Sequence, residues 1–147
     1  MESYVIDVNI LFGGLISRKK FYEDLFLRYR FYVPDFALLE LQKYKEVIRK
    51  QLTKHQADFE KFALMIFSNL NVIPDFLLNN QTIEKAEELC KDVDIKDSMY
   101  VALAIFMNLT LITRDKPLYN HLKSKGFEDV IMFDEFINKY LTPDKEL

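Results

Sequence analysis

The chain reads as an α/β protein, a three-layer α/β/α sandwich around a central parallel, twisted sheet of four to five strands. Three observations lead there. Short runs rich in β-branched and aromatic residues recur along the chain, and longer stretches with helical apolar spacing separate them. The 147 residues include only 3 Gly and 4 Pro, so no stretch reads as a flexible linker. Strands that alternate with helices pair in parallel and are covered on both faces. Half of the residues are hydrophobic, enough for one domain over residues 1–147 to bury a core of its own.

The first strand runs from Ser3 to Asp7. Phe21, Leu25 and Tyr29 then mark a helix, and Phe31 to Val33 a second strand. Pro34 is a start signal for a helix carrying Leu38, Leu41 and Lys45. Phe59, Phe62, Ala63 and Ile66 follow at the i, i+3, i+4, i+7 spacing of the next helix. Leu64, Met65 and Phe67 add apolar surface outside that stripe. Either a neighbouring helix ending near Lys54 covers them, or they face another chain. Helices from about Thr82 to Cys90 and Lys96 to Met107 precede a strand at Thr110 to Thr113. A helix from Pro117 to Lys125, a strand from Val130 to Phe133 and a helix from Phe133 to Tyr140 complete the chain. The order is βα, βαα, αα, βα, βα.

The net charge of −3 argues against a protein whose main task is clamping nucleic acid, since that needs many basic contacts. Two local patches remain, Arg18-Lys19-Lys20 and the run of Lys43, Lys45, Arg49, Lys50 and Lys54. For the second, a solvated helix face is the simpler reading. The lone Cys90 excludes an internal disulfide framework and fits a reducing compartment, as a small apolar filler on a helix. Met1-Glu2-Ser3 leads at once into the first strand, without a basic flank or long apolar run, so the expectation is a soluble, cytoplasmic protein with no membrane segment. Asp144-Lys145-Glu146-Leu147 looks like a luminal retention tag but lacks an entry signal. His55 and His121 lie in polar helical stretches and read as surface residues, so zinc chemistry and a Ser-His-Asp triad both lack their parts.

The chemistry lies in the carboxylates. Asp7 and Asp115 fall at the carboxyl ends of predicted strands, the edge where open parallel sheets bind ligands. Connecting helices return to that edge. This brings Asp97 there in the first turn of its helix, with Asp94 as N-cap, and Glu40 in the first two turns of the helix after Val33. Singly, each acid has a plainer role: a turn for Asp7, a cap or turn for Asp115, an exposed helical charge for Glu40, the positive helix end for Asp97. Together they form a cluster that a fold tolerates mainly when a cation neutralises it. Oxygen ligands without His or Cys suit Mg²⁺ or Mn²⁺ better than zinc.

The residues resemble the PIN-domain family over essentially the whole chain. Val5-Ile6-Asp7-Val8-Asn9 looks like its first motif, and Phe36-Ala37-Leu38-Leu39-Glu40-Leu41 like its second. The stretch from Asp94 to Ala104, carrying Asp97, is similar to the third and is the most specific. Leu111-Ile112-Thr113-Arg114-Asp115 looks like the last. The resemblance implies a nuclease in which Asp7, Glu40, Asp97 and Asp115 ligate one or two Mg²⁺ or Mn²⁺ ions, with Asn9, Asp94 and Thr113 lining the site. It also implies an RNA substrate, an antitoxin partner of the toxin–antitoxin type and a homodimer. Val8 and Ala37 depart from the family pattern, standing where a small hydroxyl residue is common. Three functions compete: a metal-dependent endoribonuclease, a catalytically slow PIN-like module that binds RNA or protein through the apolar helix Ala57 to Leu70, and a phosphoacceptor domain or phosphatase using Asp7 as nucleophile. The last ranks lowest, because Ile6 and Asn9 stand where a second acid is needed.

Overall fold

The computed structural model describes residues 1–141. One parallel sheet of five strands runs through it in the order β3-β2-β1-β4-β5. The strands are β1 (Ser3–Ile6), β2 (Arg30–Pro34), β3 (Leu70–Ile73), β4 (Thr110–Thr113) and β5 (Val130–Met132). β1 is central, with Tyr4 paired to Phe31 of β2 on one side and to Thr110 of β4 on the other. The connections turn in opposite directions from β1, which makes the gap between β1 and β4 the topological switch point of the sheet.

Nine helices are described: α1 (Val8–Ser17), α2 (Lys20–Arg28), α3 (Phe36–Leu41), α4 (Lys45–Lys54), α5 (Gln56–Asn69), α6 (Asn80–Cys90), α7 (Ser98–Met107), α8 (Lys116–Ser124) and α9 (Phe133–Leu141). They flank the sheet in an α/β/α arrangement, as the alternating pattern requires. α1 to α5 pack on one another, while α6, α7 and α8 form a second group in which α7 lies against β1, β2 and β4. α7 is apolar all round because it is covered all round: Tyr100, Val101, Ala102, Leu103 and Ala104 are buried in succession. Phe136 of α9 packs edge-on against Tyr4, Tyr29 and Phe31.

Several boundaries differ from the sequence reading. The first strand ends at Ile6, and Asp7 already caps α1, a helix that the apolar spacing did not reveal. α1 carries Gly13 and Gly14, ordinarily poor helix formers. A Cβ on Gly13 would lie 3.0 Å from the Arg114 guanidinium, and one on Gly14 3.0 Å from the Tyr22 ring, so close packing accounts for both. The helix expected after Pro34 is divided into α3, a 3-10 turn over Gln42–Tyr44, and α4. α5 passes directly into β3, a strand the reading did not contain. Phe133 belongs to α9, not to β5.

On α5 the predicted stripe of Phe59, Phe62 and Ile66 is buried, whereas Leu64 is 68% exposed and Phe67 42% exposed. α4 therefore covers only part of the extra apolar surface. Cys90 is fully buried, as its filler role requires. His55 and His121 are half-buried, not plain surface residues, and His121 keeps a buried Nε2 without a partner. Among the described residues no helix is long and apolar enough to cross a membrane. The tag-like Asp144 to Leu147 lies outside the described residues.

Candidate metal centre

Asp7 marks the point where β1 becomes α1. Its extended backbone (φ −85°, ψ 167°) makes it the N-cap of the helix, and its carboxylate accepts from the Ile10 N–H at 3.1 Å. The second oxygen accepts from the Thr113 hydroxyl at 2.7 Å. Backbone N–H groups of Arg114 and Asn9 also face it. Asp7 is 6% exposed, and burial raises its pKa more than these donors lower it.

Thr113 is a link as well as a lining residue. While donating to Asp7, its Oγ1 accepts from the Asp115 N–H at 3.0 Å. One fully buried hydroxyl thus ties the end of β1 to the turn after β4. Asp115 in turn caps α8, accepting from the Leu118 N–H at 3.0 Å, with Pro117 in the first turn. The plain cap role is therefore real, and it coexists with a place at the acidic edge. Asn9 is exposed on the first turn of α1.

Glu40 reaches the edge from α3, where the Tyr100 hydroxyl donates to its Oε1 at 2.5 Å. Ala37, one turn earlier on the same helix, is fully buried, which leaves no open space there for a hydroxyl to face. Asp94 does not cap α7. It caps a 3-10 turn over Ile95–Asp97, accepting from the Lys96 N–H at 3.0 Å. Asp97 occupies the N-cap position of α7 but its side chain makes no capping bond.

Asp97 is the exceptional member. Its Oδ2 is buried and has no hydrogen-bond partner. Its carboxyl is pushed up to about 7, first by burial and then by the charges of Asp94, Asp115, Asp7 and Glu40. Every acid singled out in the sequence thus acts on this one group. Among the described residues, no three His, Cys, Asp or Glu side chains form a ready-made metal cage. Asp7, Asp94, Glu40 and Asp115 each accept from a donor of the protein. An orphaned buried carboxylate oxygen amid four further carboxylates fits a hard divalent cation. Cys90 is no competing ligand, since burial and the nearby Asp97 and Asp94 charges push its thiol up to about 12.

Two features escaped the sequence reading. Tyr100 had no role assigned to it within the Asp94 to Ala104 stretch. Arg114 looked like a spacer between Thr113 and Asp115, yet it donates to the Tyr22 hydroxyl at 2.6 Å and lies 4.5 Å from the Phe133 ring centre. No spacing rule signals either contact, because the partners are far away in the chain.

Comparison with known proteins bears on the fold and the family. Comparison with curated protein sequences gives no match. Among solved structures, a toxin–antitoxin complex from Klebsiella pneumoniae superposes with a TM-score of 0.57 at 20% identity, covering 87% of this chain and 95% of that one. VapBC2 from Rickettsia felis, solved bound to a DNA fragment from its promoter, gives 0.54 at 17% identity, covering 88% of this chain and 96% of that one. At such identities the likeness establishes the fold. The sequence profile of the PIN domain matches residues 5–132, and the chain belongs to the PIN-domain family.

Proposed function

We propose that the chain is a Mg²⁺- or Mn²⁺-dependent endoribonuclease that hydrolyses RNA phosphodiester bonds and acts as the toxin of a toxin–antitoxin pair. The observation that carries this reading is Asp97, with its unpartnered buried oxygen and its proton affinity raised by burial and then by four other acids. Asp7, Glu40, Asp97 and Asp115 would hold the cation, with Asn9, Asp94 and Thr113 lining the site. When bound, the ion supplies the positive charge that activates water and offsets charge developing on the phosphate. The chain's own residues set the stage. Thr113 fixes Asp7 relative to Asp115, and Tyr100 fixes Glu40. The acidic edge alone would repel a polyanion, so RNA approach depends on the neutralising charge.

The antitoxin reading rests on a second surface. An open groove of about 450 Å³ lies between α4 and α5, lined by Leu15, Leu38, Leu41, Ile48, Phe59 and Phe67, with Lys45 and Arg49 among the lining residues. An apolar helix of a partner with acidic flanks fits such a groove. Both comparison structures are described as toxin–antitoxin or VapBC assemblies, which supports the same reading. A homodimer through exposed apolar residues such as Leu64 and Phe67 is the companion proposal. The groove also favours the alternative of a slow PIN-like binding module.

One experiment separates the readings. The purified protein is expected to cleave single-stranded RNA with Mn²⁺ and to lose cleavage in EDTA, while Mn²⁺ raises its melting temperature by mass action. Stabilisation without cleavage of any RNA would support the binding module. A thermal transition that zinc moves and saturating Mn²⁺ does not would overturn the oxygen-ligand site.

A further inference from the structure

The Tyr100 hydroxyl stands where three segments of the acidic edge meet. Tyr100 lies on α7, one helical turn beyond Asp97, and is 1% exposed. Its O–H donates to Glu40, 60 positions away in the chain. Its oxygen is faced by the Val8 backbone N–H, the first donor of α1 and the neighbour of Asp7. The first N–H groups of a helix have no partner within it, so the Val8 N–H is left to face the phenol. A buried phenol needs one partner. This one has Glu40, and the segment that carries Asp7 lies beside it.

The geometry also fixes the direction of the bond. A carboxylate oxygen accepts and a phenol O–H donates, so Tyr100 is the donor toward Glu40. The bond takes one lone pair of Oε1 and stops rotation of the carboxylate. Phe36 meets the Tyr100 ring edge-on, with centroids 6.4 Å apart, and limits sideways motion of the ring.

We infer that Tyr100 is a positioning residue whose hydroxyl, seated on the N-terminus of α1, presets the Glu40 carboxylate for a divalent cation. The inference rests on the reading of the acidic edge as a metal site. It predicts a coupling that packing alone does not, since groups that orient metal ligands typically change metal affinity by about 10- to 100-fold when removed.

The test is Mn²⁺ binding, followed by calorimetry and by the metal-induced shift in melting temperature, in wild type, Tyr100→Phe, Glu40→Gln and the double variant. Tyr100→Phe should weaken Mn²⁺ binding by about tenfold or more. The double variant should bind no more weakly than Glu40→Gln, because Tyr100 acts through Glu40. A Tyr100→Phe protein that melts lower without metal yet binds Mn²⁺ like wild type would return Tyr100 to the core. Independent losses that add in the double variant would also overturn the inference. A wild type that binds no Mn²⁺ would sink the metal-site reading itself, and the inference with it. Should Tyr100→Phe fold poorly, Val8→Pro, read against Val8→Ala because both lose a buried valine side chain, removes the N–H donor at a first helical position that accepts proline. The Asp7 backbone before it is already extended, as a residue preceding proline prefers. Weaker Mn²⁺ binding in Val8→Pro than in Val8→Ala supports the inference, and equal binding overturns it.

Discussion

The acidic edge and the α4–α5 hairpin follow opposite rules. At the edge, Asp7 and Asp115 cap helices with their side chains, and Thr113 joins the two turns that carry them. In the hairpin, neither α4 nor α5 has a side-chain cap, α4 buries no residue fully, and Val47, Leu64 and Phe67 are exposed. The edge fixes atoms by directional bonds, as chemistry on a phosphate requires. The hairpin offers apolar area whose shape can adapt, as docking of a partner requires.

The largest contrast should appear in activity. Asp97→Asn is expected to reduce RNA cleavage to background while the metal-free protein melts at the same temperature or higher, since a repelled charge is lost. Asp7→Ala should also lose cleavage but should destabilise the fold by about 0.5–2 kcal/mol, because it removes the α1 cap. A pair of denaturation curves in EDTA checks this. If Asp97→Asn unfolded more easily than Asp7→Ala, the two carboxylates would have exchanged roles.

Within α5 the same division can be read in stability alone. Phe62→Ala removes a buried ring and should cost about 3–5 kcal/mol. Leu64→Ala, on the exposed side, should stay within about 0.5 kcal/mol of wild type. Comparable losses at both positions in urea titrations would mean that the hairpin is covered in solution.

A smaller effect concerns pH. Asp97 holds its proton up to about 7 in the folded chain, against an ordinary value of 3.8. Between those values the folded state binds more protons than the unfolded one, so stability falls as pH rises through that window. Asp7, also raised by burial, acts in the same direction. In EDTA the protein should melt lower at pH 8 than at pH 5, and Asp97→Asn should flatten the dependence. A melting temperature that rises across this range would contradict the electrostatic reading of the cluster.

The smallest expected change in fold stability is at the groove, where Phe67→Glu should leave the chain folded but shift sedimentation toward monomer, because a buried unpaired charge is strongly disfavoured at an interface. A wild type already monomeric at high concentration would confine the groove to a role with another protein.

Legibility in the sequence followed the range of the forces involved. Strands β1, β2, β4 and β5 could be read because short β-rich runs stand between polar turns. β3 could not, because α5 ends at Asn69 and the strand starts at Leu70, with no loop to divide two apolar patterns. α1 was hidden by its glycines, whose reason lies in Tyr22 and Arg114. The acids were visible because strand ends and helix starts share one edge in any such sheet. Their donors were not. The Thr113 bond to Asp7 spans 106 positions and the Tyr100 bond to Glu40 spans 60, and no local pattern encodes a contact of that range.

The placement of β1 at the middle of the sheet has a consequence for synthesis on the ribosome. Its first neighbour, β2, follows soon, but its second, β4, begins only at Thr110. Until that segment has emerged, one side of β1 offers unpaired backbone groups, and the nascent chain depends on dilution or a chaperone to avoid joining another such edge. The same delay governs the acidic edge. Asp97, Thr113 and Asp115 are all made late, so a polypeptide halted before them carries Asp7 and Glu40 without the rest of the acidic centre. The acidic centre is thus complete only once most of the chain exists. A chain stopped at Met107 should be insoluble and harmless to RNA.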